Sequence, residues 1–212
     1  MSETIATVAN PMKLALTHIL KIERLRKEYL EKQLVEDSEK LDLGGFVTRM
    51  KQYPSLLMSS GLVTSVSFYI SKIEKEKGSG EALRLLYEYL TTNRDESHED
   101  EERSVLEKLT TSESVRKAIL SEMKSDAKGY LIASALLIAA ISEFSRAIGL
   151  ELPDEGEFLT KFIEFLKELL EDTSLENLIL LENLMREYSI EVKRLVEAYK
   201  SIVWEGKDNG KA

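Results

Sequence analysis

The chain has 212 residues, is 43% hydrophobic and 32% charged, and carries a formal net charge of −9, which is enough length to bury one core or two small ones. Ten glycines and three prolines among abundant Leu, Glu, Lys, Ile and Ala point to an all-α protein. The absence of cysteine excludes a disulfide framework, thiolate metal sites and thiol catalysis. The opening MSETIATVANPMK lacks the basic-then-apolar order of a secretory signal, and the expected location is cytoplasmic.

Asn10 and Pro11 form an N-cap and first-turn pair, after which Met12, Leu16, Ile19, Ile22 and Tyr29 recur at helical spacing to about Leu34. Lys13, Lys21, Arg24 and Lys32 lie off that stripe. Glu28 stands four residues from both Arg24 and Lys32, the pattern of an ion-paired helix surface. His18 lies beside the stripe and reads as a packing or surface residue. A short second helix is expected after Gly44 and Gly45, ending before Pro54, because a residue preceding proline is pushed out of the α region. Pro54 then opens a third helix that ends near Gly61.

Leu62, Val66, Tyr69 and Ile73 mark a further helix closed by Gly78-Ser79-Gly80, and Leu83, Leu86, Tyr87 and Leu90 mark the next. TTNRDESHEDEER, with no apolar residue between Leu90 and Val105, reads as a solvated loop. Thr111 or Ser112 can cap a helix through Val115 and Ile119. A strongly apolar helix from about Ala127 to Ile148 should stop at Gly149, a C′ residue. It is long enough to cross a membrane, but Glu143 and Arg146 and the short uninterrupted apolar run make it a buried core helix.

LELPDEG, residues 150–156, is the clearest boundary. Beyond it Phe158, Phe162, Phe165, Leu166 and Leu169 form one amphipathic helix. Leu178, Leu181, Leu184, Met185, Tyr188, Val192, Leu195, Tyr199 and Ile202 form a long one, with Thr173 and Ser174 as caps between them. The expectation is therefore a bundle of about six helices over residues 1–150, with a two-helix acidic extension over 151–212 that packs on it or on a partner. Net charge is +2 over residues 1–80, −11 over 81–212 and −7 from Glu151 onward.

Catalytic signals are missing. Two histidines leave little for acid-base work, no Glu-x-x-His pair stands on a helix, and no G-x-S-x-G is present. Gly78 and Gly80 lack the further glycine and preceding strand of a phosphate loop. Glu164 and Glu168 fall on the polar face of an amphipathic helix, where solvation explains them. His98 and Asp95 in the acidic segment lack glycine-defined ligand geometry, so no metal site is expected. The chain is expected to be no enzyme, with no catalytic residue and no cofactor.

One segment departs from the acidic whole: residues 44–73 carry Arg49, Lys51 and Lys72 but no Asp or Glu. Together with Arg146, these cations lie in or beside acid-poor, apolar stretches. They lack a local sequence partner and are available to phosphate oxygens.

The same segment, FVTRMKQYPSLLMSSGLVTSVSFYISK, resembles the signature of the Cmr-type small helical subunit of type III-B CRISPR effector complexes. That signature is a short basic helix running into a Leu-Pro or similar step, an apolar helix, an Asn-Gly-Leu turn, and a helix with a phenylalanine and then Ser-Lys. Tyr53-Pro54, Leu56-Leu57, Gly61-Leu62, Phe68 and Ser71-Lys72 occupy the matching places. Downstream, Tyr130, Ala133-Ser134, the apolar run and Arg146 resemble the family's Tyr, Ala-Thr, apolar helix and basic pair. The resemblance covers roughly residues 10–150. Ser60 replaces the usual asparagine, Leu136 a frequent glutamate, Glu143 a common aromatic and Ser145 the first of the basic pair.

The resemblance implies a non-catalytic scaffold that stacks with other copies of itself beside the backbone subunits holding the guide RNA. Target cleavage belongs to those backbone subunits and other activities to a large subunit. A groove of Lys and Arg contacts the target RNA backbone opposite the guide, in antiviral defence and without a membrane. Guide pairing supplies specificity, so such contacts need cations rather than a catalytic constellation. By match, Lys51, Lys72 and Arg146 are RNA-binding candidates; Arg49 joins them from the acid-free window. The alternative is a helical protein-protein interaction or adaptor module without nucleic-acid contact, using the amphipathic tail.

Overall fold

A computed structural model describes residues 10–32, 34, 41–73, 77–92, 99–124, 127–150, 158–171 and 173–201. The described residues form nine helices and no strand, as the composition predicts. They are α1 (Pro11–Glu31), α2 (Gly44–Ser60), α3 (Leu62–Ser71), α4 (Ser79–Thr91), α5 (Glu99–Thr111), α6 (Glu113–Met123), α7 (Tyr130–Ala147), α8 (Phe158–Glu171) and α9 (Leu175–Tyr199). Seven helices of the described residues precede residue 150, against the expected six or so. The 150–156 boundary, except Leu150, and the Asp95 and His98 segment lie outside the described residues.

The centre is α7. Residues Leu131 to Ser142 are all buried, and α2, α3, α4, α6 and α9 pack around the helix. Ala133, Ala135, Ala139 and Ala140 keep its surface thin enough for several neighbours to approach. The one described helix apolar and long enough to cross a bilayer is thus the core of the bundle. It ends as Gly149 requires: at φ +80°, Gly149 donates to Arg146 O at 3.1 Å and Leu150 donates to Ser145 O at 2.8 Å, a Schellman closure.

Two boundaries differ from the sequence reading. Pro54 does not divide two helices but sits buried inside α2. Phe46, Val47, Met50, Tyr53 and Leu57 form one continuous buried stripe across it. Burying five such side chains, at about 1.5–3 kcal/mol each, outweighs the roughly 3 kcal/mol that an interior proline costs. The acidic segment is not all loop either, because α5 begins at Glu99 with Glu99, Asp100, Glu101 and Glu102 in its first turn. Carboxylates there face unpaired amides and the positive end of the helix dipole, so a run that reads as solvated starts a helix.

Buried polar ties join helices distant in sequence. Lys21, off the apolar stripe by sequence, is fully buried. Its ammonium donates to Tyr89 O at 2.7 Å, Leu90 O at 3.3 Å and Thr92 O at 2.5 Å, capping the carbonyl end of α4. Arg24 pairs not with Glu28 but with Glu102 of α5 at 2.5 Å, while Lys32 does pair with Glu28 at 3.3 Å. The extension packs on the same bundle: α8 lies on α3 and α4, and α9 along α1, α2 and α7.

His18 is fully buried, its Nδ1 2.7 Å from the Tyr188 hydroxyl of α9. Burial, and then the Lys21 charge, lowers its pKa to about 3. Above about pH 6.5 the ring is neutral in both folded and unfolded chains, whereas between about 6.5 and about 3 only the unfolded chain takes the proton. Stability therefore falls on acidification through that window. His18→Gln, which keeps a polar partner for Tyr188 but cannot titrate, is expected to flatten the decline by up to about 1.4 kcal/mol per pH unit. Denaturant midpoints measured from pH 7 to pH 5 check this, and equal slopes would contradict it.

Candidate nucleic-acid interface

The candidate surface is built where two helix starts touch backbone to backbone. A Cβ on Gly45 would lie 2.0 Å from Ala127 O, and one on Gly129 would lie 2.1 Å from Gly45 C. Gly129 is also at φ +72°, a region that strains any other L-residue. Only glycine at both positions lets the first turn of α2 pack against the entrance of α7. Asp42 Oδ1 accepts from Gly44 N–H at 2.9 Å and fixes the α2 start.

One turn along α2, this contact delivers Arg49 to the α7 entrance. Its Nε donates to Lys128 O at 3.0 Å, Nη1 donates to Gln52 Oε1 at 2.9 Å, and the guanidinium carbon stands 4.4 Å from the Tyr130 ring centroid. From Tyr130 the surface continues onto α3. The Tyr69 ring is 5.3 Å from Tyr130, Phe68 is 6.3 Å from Tyr130, and Lys72 Nζ is 5.3 Å from the Phe68 ring. Tyr69 donates its hydroxyl proton to Arg49 O at 2.6 Å, bolting α3 to α2. Burial pushes the Tyr69 and Tyr53 phenols far above their ordinary pKa, so neither becomes an anion beside Arg49.

The four candidate cations fall in three places. Arg49 and Lys72 share this aromatic-backed surface, and neither has a carboxylate partner among the described residues. Lys51, about 200° around α2 from Arg49, points to α9, where its ammonium lies 3.3 Å from Glu197. Arg146 lies 16 residues along α7 from Tyr130, about 24 Å at the helical rise, and pairs with Glu143 at 3.3 Å. The sequence reading gave neither cation a local partner: Lys51 meets Glu197 across the fold, whereas for Arg146 that reading is corrected, because Glu143 stands three residues away on the same helix. Both pairs are partly exposed, a class that contributes about 1 kcal/mol or less, so a phosphate can displace the carboxylate.

Sequence reasoning missed Gln52, Lys128 and Glu197. The last two act across the fold, Lys128 through its carbonyl, and no spacing rule marks them. It also missed how the Ser60 departure is made good. Ser60 turns its hydroxyl back to Leu56 O at 2.7 Å, and the first amide of α3, Leu62 N–H, donates instead to Glu182 Oε1 of α9 at 2.8 Å. A carboxylate at a helix N-terminus meets both the free amide and the dipole.

These features define a class: an all-helical bundle, built around one apolar helix, that displays aromatic-backed cations on one face. A family model described as CRISPR-associated protein (Cas_Cmr5) matches residues 22–142, and the chain belongs to this family of small subunits of type III-B complexes. No curated protein and no solved structure matches the chain. The match includes Arg49, Lys51 and Lys72; it ends four residues before Arg146 and excludes α8 and α9.

Gly129→Ala is expected to cost about 3 kcal/mol, from crowding against Gly45 plus the left-handed backbone. Gly149→Ala, at φ +80° with nothing within 4 Å of the added Cβ, is expected to cost only about 1–2 kcal/mol. Urea unfolding of both variants checks the difference, and equal losses would deny the helix-start contact its role.

Proposed function

We propose that this protein is the non-catalytic small subunit of a type III-B CRISPR ribonucleoprotein that acts in antiviral defence in the cytoplasm. It contacts the target RNA backbone, opposite the guide RNA, through Arg49, Lys51, Lys72 and Arg146. Its other partners are the backbone and large subunits and further copies of itself, stacked in a short filament. The observation that carries the reading is that Arg49 and Lys72 stand together on one surface, without a carboxylate partner among the described residues, in a chain of net charge −9. Residues 1–150 act as the small-subunit domain and 151–212 as an acidic extension on it.

His18, the one histidine among the described residues, is buried and holds a neutral ring above about pH 3, so it cannot exchange protons with a substrate. No group of three or more His, Asp or Glu is placed to hold a metal ion among the described residues. The groove of about 950 Å³ between α1 and α5 is lined by more carboxylates than cations, with Arg24 paired to Glu102 and Lys32 to Glu28.

A protein-docking adaptor is the second reading. It draws on Ile163 and Leu170 of α8 and Leu175 and Ile179 of α9, which are at least half exposed on the extension. Co-purification of protein partners without any dependence on RNA would favour it.

In the assembled effector, Arg49→Glu and Lys72→Glu are each expected to weaken target RNA binding about tenfold. Each should also lower the slope of log affinity against log salt by about 1. Unchanged affinity and slope would remove both residues from the RNA path. Glu197→Gln is expected to raise affinity about threefold by releasing Lys51, and to do nothing in a Lys51→Gln background. A gain that survives in that background would contradict the competition.

A further inference from the structure

Phe68 is the large side chain of this surface that the core does not use. On α3, Leu62, Val66 and Tyr69 are buried, whereas Phe68 is 41% exposed. Its ring is nonetheless held, tilted edge to face against Tyr69 at 64° and against Tyr130 at 77°. The Lys72 ammonium lies near one side, and Arg49 stands over the adjoining Tyr130 ring.

The neighbours of Phe68 on the helix surface decide what such a ring meets. Of the four positions three and four residues away, Thr64, Ser71 and Lys72 are exposed and Ser65 is buried, and Ser67 beside it is exposed too. A surface for an apolar protein partner would extend the hydrophobic area, but here the exposed neighbours of Phe68 on its own helix are hydroxyls and an ammonium. Hydroxyl, ammonium and guanidinium groups suit ribose and phosphate oxygens, and the ring suits the face of a base. Stacking of this kind is tolerant of base identity, because every base has a π face.

We infer that Phe68 is a base-stacking platform: an unpaired base of a bound RNA strand lies on its ring while Arg49 and Lys72 hold the flanking phosphates. The inference rests on the RNA-contact reading above and adds a second kind of contact to it. When the base arrives, the Lys72 ammonium leaves the ring for a phosphate oxygen, so the cation-π contact seen without RNA holds the lysine beside its working position. The arrangement grips a strand without selecting its sequence.

The test uses the assembled effector and a single-stranded target RNA carrying 5-iodouridine, which photocrosslinks to aromatic side chains it stacks on. Crosslinks are expected at Phe68, lost in Phe68→Leu and kept in Phe68→Trp. Phe68→Leu should weaken RNA binding about tenfold with the salt slope unchanged, because stacking releases no counterion. Phe68 is largely outside the core, so the variant is expected to keep the wild-type unfolding midpoint. Crosslinks absent from α3 while RNA is bound, or wild-type affinity in Phe68→Leu, would overturn the inference; so would loss of the subunit from the complex, which would make Phe68 a protein contact. If Phe68 fails but the Arg49 and Lys72 reversals still lower the salt slope, the backbone-contact reading stands; if all three leave RNA binding unchanged, that reading fails as well.

Discussion

The candidate surface depends on a contact with no side chains in it. Gly45 and Gly129 bring the first turns of α2 and α7 so close that a methyl group on either would overlap backbone atoms of the opposing segment. Everything that displays Arg49 follows from this closeness: the Lys128 carbonyl that takes its Nε–H, the Tyr130 ring under its guanidinium, and the Tyr69 hydroxyl bound to its carbonyl. A guanidinium fixed at two edges gives up little side-chain freedom when it meets an anion. The same closeness sets Tyr130 beside Tyr69 and Phe68, which carries the surface onto α3 and Lys72.

Charge availability in this acidic chain is a question of where the acids are tied. Glu102 is held by Lys21 and Arg24, and Glu182 by the start of α3. Glu197, by contrast, reaches a cation of the acid-free window and meets Lys51 in a pair that water can enter, 49% and 42% exposed. The acidic C-terminal helix therefore does two opposite things for the candidate residues. Through Glu182 it caps and steadies the helix that bears Phe68 and Lys72; through Glu197 it competes with any phosphate for Lys51. Arg49 escapes that competition because it lies about 200° around α2 from Lys51, the residue that meets Glu197, and Lys72 has no carboxylate partner among the described residues.

Local rules made much of the architecture legible. Asn10 accepts from Lys13 N–H at 3.0 Å and Ser174 from Asn177 N–H at 3.3 Å, Gly149 closes α7, and the periodic residues of α4 and α8 are largely the buried ones; on α1 Ile19, Ile22 and Tyr29 are buried but Met12 and Leu16 are exposed, and on α9 Leu181, Met185, Tyr188 and Val192 are buried while Ile202 lies outside the described residues. Reading failed where tertiary energy overrides a local preference. Pro54 stays within α2 because its neighbours share one buried stripe, and acids that look like loop become the N-terminus of α5. Lys21 reads as a surface lysine because nothing in its own helix reveals that the last carbonyls of α4 will need a donor. At the candidate surface, sequence singles out the cations, and Phe68 only as a place in the family signature, but not their grouping. Grouping depends on which helices touch, and Arg49 and Lys51, two residues apart, face different neighbours for that reason.

The central claim is that the face carrying Arg49, Phe68 and Lys72 lies against RNA rather than protein. A cryo-electron microscopy map of the effector complex with guide and target bound decides this most directly. The account predicts the target strand passing along the α2 and α3 face, with phosphate oxygens within hydrogen-bond reach of Arg49 and Lys72. A map in which that face is covered by another protein subunit, or points to solvent while the strand runs elsewhere, would contradict it.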